Sequence, residues 1–355
     1  LQKKKGMLDF IVVGAAQAGL AMAYYLRKQG KDFLVVDKES EIGASWLNRW
    51  DSLTLFTPSE FNNMPGMKFP AQKGHYPSKT EVAAYFKDYA EKFNIPVQLN
   101  TLVENISHHD DYFILKSSEG EMKARNVIIA TGPFHIPYTP PFSKKIDEDI
   151  FQIHSNYYKN PEQLKEGEAM VVGAGDSGFQ ILDEVSSENG RKVYFSGDTD
   201  VKVLPQEILG KTLWWWFTKS GFLSFSRDTW LGRKISKSRQ PVIGTPVKEI
   251  LERQNVETVG KTKNAEGELV VTEKKKIKDL KNIIWATGYR PNFSWIEGLE
   301  LTKDGYPRHY RGVSNIEGLY FIGLPWLHTR GSATLGGIKK DAKYLSDYIK
   351  KNGNE

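Results

Sequence analysis

Two glycine-rich turns of one pattern divide this chain, and each is answered downstream by the same tripeptide. The first runs Ile11-Val12-Val13-Gly14-Ala15-Ala16-Gln17-Ala18-Gly19, the second Met170-Val171-Val172-Gly173-Ala174-Gly175-Asp176-Ser177-Gly178. The tripeptides are Ala130-Thr131-Gly132 and Ala286-Thr287-Gly288. In such a loop the first glycine makes a tight turn and a small middle residue admits the backbone to a pyrophosphate. The third glycine lets the helix close on the sheet, and the N–H groups that open the helix bind phosphate. One loop is a weak signal. Two imply two dinucleotides in one protein, and such a protein usually passes electrons between them.

Hydrophobic spacing around the loops places the elements. A strand over 10–13 leads into the first loop. Leu20, Ala23, Tyr24 and Leu26 then recur at helical spacing until Gly30, and a strand over 33–36 ends in Asp37. An acid about 20 residues beyond the loop is where a ribose-binding carboxylate sits. Residues 48–76 read as structured loop, 81–93 as an amphipathic helix, 97–115 as strands and 124–130 as a buried strand. The pattern restarts with a strand over 169–172, a helix over 179–185 and a strand over 193–195. Strands over 283–286 and 319–322 and a helix around 342–349 complete it. The order predicts an α/β protein of two Rossmann-like (three-layer ββα) dinucleotide-binding domains, the NAD(P) domain inserted into the FAD domain. Residues 7–155 and 283–355 would form the FAD-binding domain, and 156–282 the NAD(P)H-binding domain with an aromatic helical segment at 205–240. Linkers are expected near 133–160 and 288–291.

A length of 355 residues suits two domains at about 150 residues each. The net charge of +6 comes partly from Lys3-Lys4-Lys5 and Lys274-Lys275-Lys276, which read as solvated tail and hairpin lysines. No nucleic-acid reader motif accompanies them. No apolar run of about 20 residues spans a membrane, and with no secretory leader a cytoplasmic location is expected. Cysteine is absent. That excludes disulfides, Cys-ligated metal and a Cys-x-x-Cys pair, and no metal site is expected. Electrons therefore cannot leave through a disulfide of this chain, as they do in thioredoxin-reductase-like enzymes.

Asp37 assigns the first loop to FAD, whose adenosine ribose carries a free 2′-hydroxyl. The FAD candidates are Gly14, Ala16, Gln17, Ala18, Gly19, Asp37, Lys38, Trp46, Thr131 and Gly132. The second loop has no acid at the same offset. Its strand ends Val193-Tyr194-Phe195-Ser196-Gly197-Asp198 after Arg191 and Lys192. The nicotinamide cofactor belongs there, with Gly173, Gly175, Asp176, Ser177, Gly178, Thr287, Gly288, Tyr289 and Arg290 as candidates.

Further segments carry a family likeness: Trp46-Leu47-Asn48-Arg49-Trp50-Asp51-Ser52-Leu53, His75-Tyr76-Pro77-Ser78-Lys79 and His154-Ser155-Asn156-Tyr157-Tyr158-Lys159. To these add both loops, Ala286-Thr287-Gly288-Tyr289-Arg290-Pro291 and Gly318-Leu319-Tyr320-Phe321-Ile322-Gly323. From Met7 onward the chain resembles the bacterial CzcO-like flavoproteins, relatives of the flavin-containing monooxygenases and plant YUCCA enzymes. It departs from them in places. The fingerprint phenylalanine-x-glycine-x3-histidine-x3-tyrosine keeps only His154 and Tyr158, with Glu148 and Ile150 in its first half. Asp176 stands where relatives carry asparagine, and the asparagine that relatives place near the flavin is missing around Phe56-Thr57-Pro58. Asp198 stands where relatives often put an arginine for the 2′-phosphate of NADPH. An acid there favours NADH unless Arg191, Lys192 or Lys202 supplies the charge, so NADPH is the first reading and NADH stays open.

The resemblance implies a monooxygenase. NAD(P)H reduces FAD by hydride transfer to N5, and reduced flavin with O2 gives a C4a-(hydro)peroxide that oxygenates a small substrate. Two alternatives stand beside it: an oxidase or reductase feeding O2, a quinone or a protein acceptor, and a flavin-bound regulator of cation transport. His154 is a catalytic candidate near the nicotinamide, or else a linker histidine packed between domains. Gly323-Leu324 and Thr329-Arg330-Gly331-Ser332 precede the last helix. Its N-terminus would point at the flavin pyrimidine ring, with Arg330 as second catalytic candidate; the other reading is a plain helix cap at Ser332. Trp214-Trp215-Trp216-Phe217, with Phe222, Leu223, Phe225 and Trp230, reads as interface packing, a substrate lid, or a homodimer or membrane-surface patch.

Overall fold

The computed structural model describes residues 6–187 and 190–352, so the Lys3–Lys5 tail lies outside the described residues. Two sheets with parallel cores organise the chain. The larger runs in the order His309–Tyr310, Val313–Ser314, Leu319–Phe321, Gly120–Ile129, Met7–Val13, Phe33–Val36, Val97–Gln98. Its members from Leu319–Phe321 to Val97–Gln98 are parallel. Gly120–Ile129 extends into an antiparallel meander with Tyr112–Ser117 and Val103–His109.

The strand Met7–Val13 is the centre of this sheet because its neighbours pair on both edges. Phe10 to Val13 are all buried. Helices Gln17–Lys28, Lys79–Lys92 and Ile338–Asn352 cover one face and share a core that includes Leu20, Leu26, Tyr85, Phe86, Leu345 and Ile349. The helix expected over 81–93 starts two residues early because Ser78 and Glu81 form a reciprocal capping box. The terminal helix likewise exceeds its expected 342–349, beginning at buried Ile338, one turn earlier, and running on through Lys350 and Lys351.

The smaller sheet has five strands, Val256–Thr258, Val193–Ser196, Ala169–Val172, Asn282–Trp285 and Phe151–His154, all parallel. Helices Asp176–Ser187 and Val247–Leu251 pack on it through Phe179, Ile181, Leu182 and Ile250. A three-stranded antiparallel sheet, Thr262–Glu266, Leu269–Thr272 and Lys276–Ile277, supplies a further core around Val270 and Trp285.

This topology corrects the expected boundaries at 155/156 and 282/283. Phe151–His154 and Asn282–Trp285 pair with each other inside the smaller sheet, so both cuts pass through that sheet. The expected linker 133–160 therefore contains a core strand. The crossovers themselves pair: Ile136–Pro137 lies antiparallel to Tyr289–Arg290, so the chain passes between the two sheets through a two-stranded ribbon.

The aromatic segment folds as helices Leu213–Lys219 and Trp230–Lys237 with a 3₁₀ turn at Phe222–Ser224. It leans on the larger unit. Trp214 stacks on Phe56 at 5.9 Å and donates its indole N–H to the Phe56 carbonyl at 2.8 Å. Ser226 bridges to Thr329, and the Arg227 N–H reaches the His328 carbonyl at 2.7 Å. Among the described residues no helix is long and apolar enough to cross a membrane. None of their acidic residues and histidines group in a way that could hold a metal ion.

Candidate functional site

The first loop is built by close approach. Gly14 has φ +113°, and a Cβ there would lie 2.7 Å from the Ala130 carbonyl oxygen. A Cβ on Gly19 would lie 1.8 Å from the Gly14 oxygen, so the helix sits directly on the turn. The helix Gln17–Lys28 begins at Ala16 with no side-chain cap and no acid in its first turn. Its opening N–H groups are thus left for a ligand, the arrangement that binds phosphate. Asp37 accepts the Ala15 N–H at 2.6 Å through one oxygen and the Glu39 N–H at 3.0 Å through the other. The carboxylate is thereby fixed at the end of its strand.

The remaining first-loop candidates gather around this turn unequally. Trp46 donates to Gln17 Oε1 at 3.3 Å. Gly323, at φ +82°, lies against buried Ala18, where a Cβ would come within 2.8 Å of the alanine methyl, and Leu324 beside it is buried. The C-terminal segment thereby joins the loop. Thr131 contacts His135 Nε2 at 3.1 Å, and Gly132 faces open space. Lys38 is exposed and lies 3.7 Å from Glu39.

The second loop repeats the backbone. Gly173 has φ +124°, with a Cβ position 2.1 Å from the Ala286 oxygen, and that of Gly178 lies 2.0 Å from the Gly173 oxygen. Gly175 is exposed and nothing lies within 4 Å of where its Cβ would be. The turn therefore leaves a bare backbone face for a pyrophosphate, beside Ser177. Asp176 accepts the Ile243 N–H at 3.2 Å. Burial pushes its carboxyl above the ordinary range, against the pull of the Ile243 N–H and the Arg330 charge. Arg330 is itself half-buried and lies over the Phe222 ring at 5.7 Å. Asp176 of the smaller unit and Arg330 of the C-terminal segment thus sense each other's charge.

Between the units, His154 is buried and both ring nitrogens are committed. Nδ1 accepts the Asn156 N–H at 3.0 Å and Nε2 donates to the Gly288 carbonyl at 3.0 Å. Burial, with the Arg49 charge, pushes its pKa down against the Gly288 bond, so the ring stays neutral. Both bonds tie the ring to the crossover segments. Tyr289 packs edge-on to it at 5.3 Å and donates its hydroxyl to Asn156 at 3.0 Å. Thr287 donates its hydroxyl to the Tyr138 carbonyl. Arg290 stacks over Tyr138 at 3.8 Å, which turns it onto the ribbon.

Two residues outside the expected set enter here. Arg49 donates to the Tyr289 hydroxyl at 2.6 Å and lies over Phe134 at 5.2 Å, tying the larger unit to the crossover. Its only signal was membership of the Trp46–Leu53 segment. Arg239 donates to Asp198 at 2.8 Å and to the Ala174 carbonyl at 2.6 Å. It follows an exposed helix and no motif marks it. Two of the three cations proposed to offset Asp198 are engaged elsewhere: Arg191 donates to the Lys165 and Gly167 carbonyls. Lys192 stacks on Tyr194 between Glu168 and Glu257.

Comparison with known proteins agrees with this geometry. Residues 11–203 match the family described as pyridine nucleotide-disulphide oxidoreductase. A CzcO-like oxidoreductase of Geobacillus kaustophilus is 42% identical over 97% of this chain and 98% of its own. The YUCCA1 protein of Arabidopsis thaliana, named as a probable indole-3-pyruvate monooxygenase, is 27% identical over 91% and 86%. The solved flavin-containing monooxygenase of Stenotrophomonas maltophilia superposes with a TM-score of 0.79 at 26% identity, over 98% of this chain and 99% of that one. Flavin monooxygenases of this kind work with FAD and NADPH. The chain belongs to the pyridine nucleotide-disulphide oxidoreductase family, as a flavin-dependent oxidoreductase of the CzcO-like and flavin-monooxygenase branch.

Proposed function

We propose that the chain is an FAD-dependent NADPH monooxygenase acting on a small substrate, with two Rossmann-like domains, the NADPH domain inserted into the FAD domain. The observation that carries this is the repeated loop. Each turn has a first and third glycine that no other residue could replace, and each opens a helix at the end of a parallel strand. The first loop takes FAD because Asp37 is held at the ribose position by Ala15. The second takes NADPH because Gly175 bares the backbone there.

FAD, when bound, supplies the hydride acceptor and the centre that reacts with O2. The chain's residues bind, orient and keep water out. The uncapped helix start at Gln17 would hold the pyrophosphate. Arg330, half-buried in the segment before the last helix and within reach of the Asp176 charge, would supply positive charge to the reduced flavin. His154, locked between Asn156 and Gly288, keeps the two units in register. Trp214, Phe217 and Leu223 close over Phe56 and Phe61 and shield that side from water.

Anaerobic reduction with NADPH followed by mixing with air tests this reading. A monooxygenase holding NADP⁺ reoxidises slowly and releases little hydrogen peroxide until a substrate is supplied. Immediate reoxidation with one peroxide per NADPH would overturn it in favour of an oxidase. A flavin that NADPH does not reduce catalytically would point to the regulator.

A further inference from the structure

We infer that Arg239 is the residue that binds the 2′-phosphate of NADPH, and that Asp198 positions it; this rests on the reading of the second loop as the NADPH loop. The two loops can be superposed by their own hydrogen bonds. Gly14 donates to the Val36 carbonyl at 2.8 Å, and Gly173 to the Ser196 carbonyl at 2.9 Å. Val36 therefore corresponds to Ser196, and Asp37 to Gly197. At the place where the first loop holds a ribose carboxylate, the second holds no side chain. A Cβ on Gly197 would sit 3.0 Å from the Ala174 methyl, so the turn has closed over that position.

The next residue, Asp198, does not face the loop as Asp37 does. Its Oδ1 accepts the Asp200 N–H at 3.1 Å, and its Oδ2 accepts from Arg239 at 2.8 Å. Both oxygens are engaged and the arginine balances the charge. The other end of the guanidinium donates to the Ala174 carbonyl, on the residue that corresponds to Ala15. Arg239 is thus fixed at two points beside the 2′ position, is exposed, and keeps further N–H donors free. A planar fork held this way suits a phosphate. The segment carrying Arg239 continues across the loop, where the Ile243 N–H reaches Asp176.

The probes are adenosine 2′,5′-bisphosphate and 5′-AMP, titrated calorimetrically into the FAD-loaded full chain. The expected result is at least about a ten-fold preference for the bisphosphate, since one charge-assisted bond contributes about that much. R239Q should lower bisphosphate affinity to that of 5′-AMP while leaving 5′-AMP, bound FAD and thermal stability unchanged. The double variant D198N/R239Q removes any repulsion from an unmasked Asp198 and should remain without preference. Recovery of the preference in the double variant would show that Arg239 only neutralises Asp198, and would overturn its role as ligand. A preference unchanged in R239Q, or absent from the parent, would overturn the assignment alone. Failure of the parent to bind either nucleotide at millimolar concentration would overturn both the assignment and the reading it rests on.

Discussion

Placed side by side, the two glycine loops agree in backbone and disagree in what fastens them. Both third glycines press on the carbonyl of the first, at Cβ positions 1.8 and 2.0 Å away. In the first loop Ala15 is buried and bonded to Asp37, 22 residues along the same strand-helix-strand unit. In the second, Ala174 is partly exposed and bonded to Arg239, 65 residues on, while Asp176 is bonded to Ile243, 67 residues on. A fastening from the same local unit forms with the fold and stays. The one made by the exposed Arg239 can open without disturbing the sheet. The difference suits a resident flavin in the first loop and a nicotinamide nucleotide that comes and goes in the second.

The comparison breaks most sharply at its glycines. Gly14→Ala and Gly173→Ala each force a methyl group onto a backbone oxygen at positive φ. Each should cost about 3 kcal/mol or more in stability, as overpacking and backbone strain add. Gly14→Ala should purify colourless. Gly175→Ala adds a methyl to open space, so stability should change by less than about 0.5 kcal/mol. That variant should keep its flavin absorbance and lose NADP⁺ affinity. Thermal melts and visible spectra of the three variants check this, and a Gly175→Ala protein without flavin would reverse the assignment of the loops.

A smaller effect is expected at Asp37. Asp37→Asn removes the charge that accepts the Ala15 and Glu39 N–H groups. FAD affinity should fall by about 1–3 kcal/mol, roughly a five- to 150-fold change. Affinity for NADP⁺ in flavin-saturated protein should not move. Equal losses at both sites would mean that the loops are not independent.

Much of the first loop was legible because its chemistry is local. Gly14, Gly19 and Asp37 fall at spacings set by one strand, one helix and the next strand, and all three sit where the pattern puts them. The second loop was legible only in its glycines. Arg239 reaches it from just beyond the helix Trp230–Lys237, in a stretch with no glycine pattern or motif, across a separation of 65 residues that no local spacing encodes. The boundary at 155/156 failed for a related reason. Phe151–His154 joins the smaller sheet by pairing with Asn282–Trp285, a contact between distant residues that no local spacing encodes. His154 stands out by its motif, but its two hydrogen bonds to Asn156 and Gly288 required the fold.

The smallest effect expected concerns the acid inside the second loop. The first helix has no acid in its opening turn, whereas Asp176 opens the second from a largely buried place. Burial raises its pKa, so the folded chain binds the proton more tightly than the unfolded chain. Stability should therefore fall as pH rises from the ordinary carboxylate value through the raised one, and stay lower above it. Asp176→Asn keeps an acceptor for the Ile243 N–H and removes the buried charge. The variant should be more stable than the parent at pH 7 by about 1 kcal/mol, with the difference vanishing as pH falls to about 4. It should also bind NADP⁺ more tightly, because a negative charge leaves the phosphate turn. Denaturant melts at the two pH values decide the sign. A variant less stable at pH 7 would mean that attraction to Arg330 outweighs burial, and that the second loop is fastened by a charge pair between the two units.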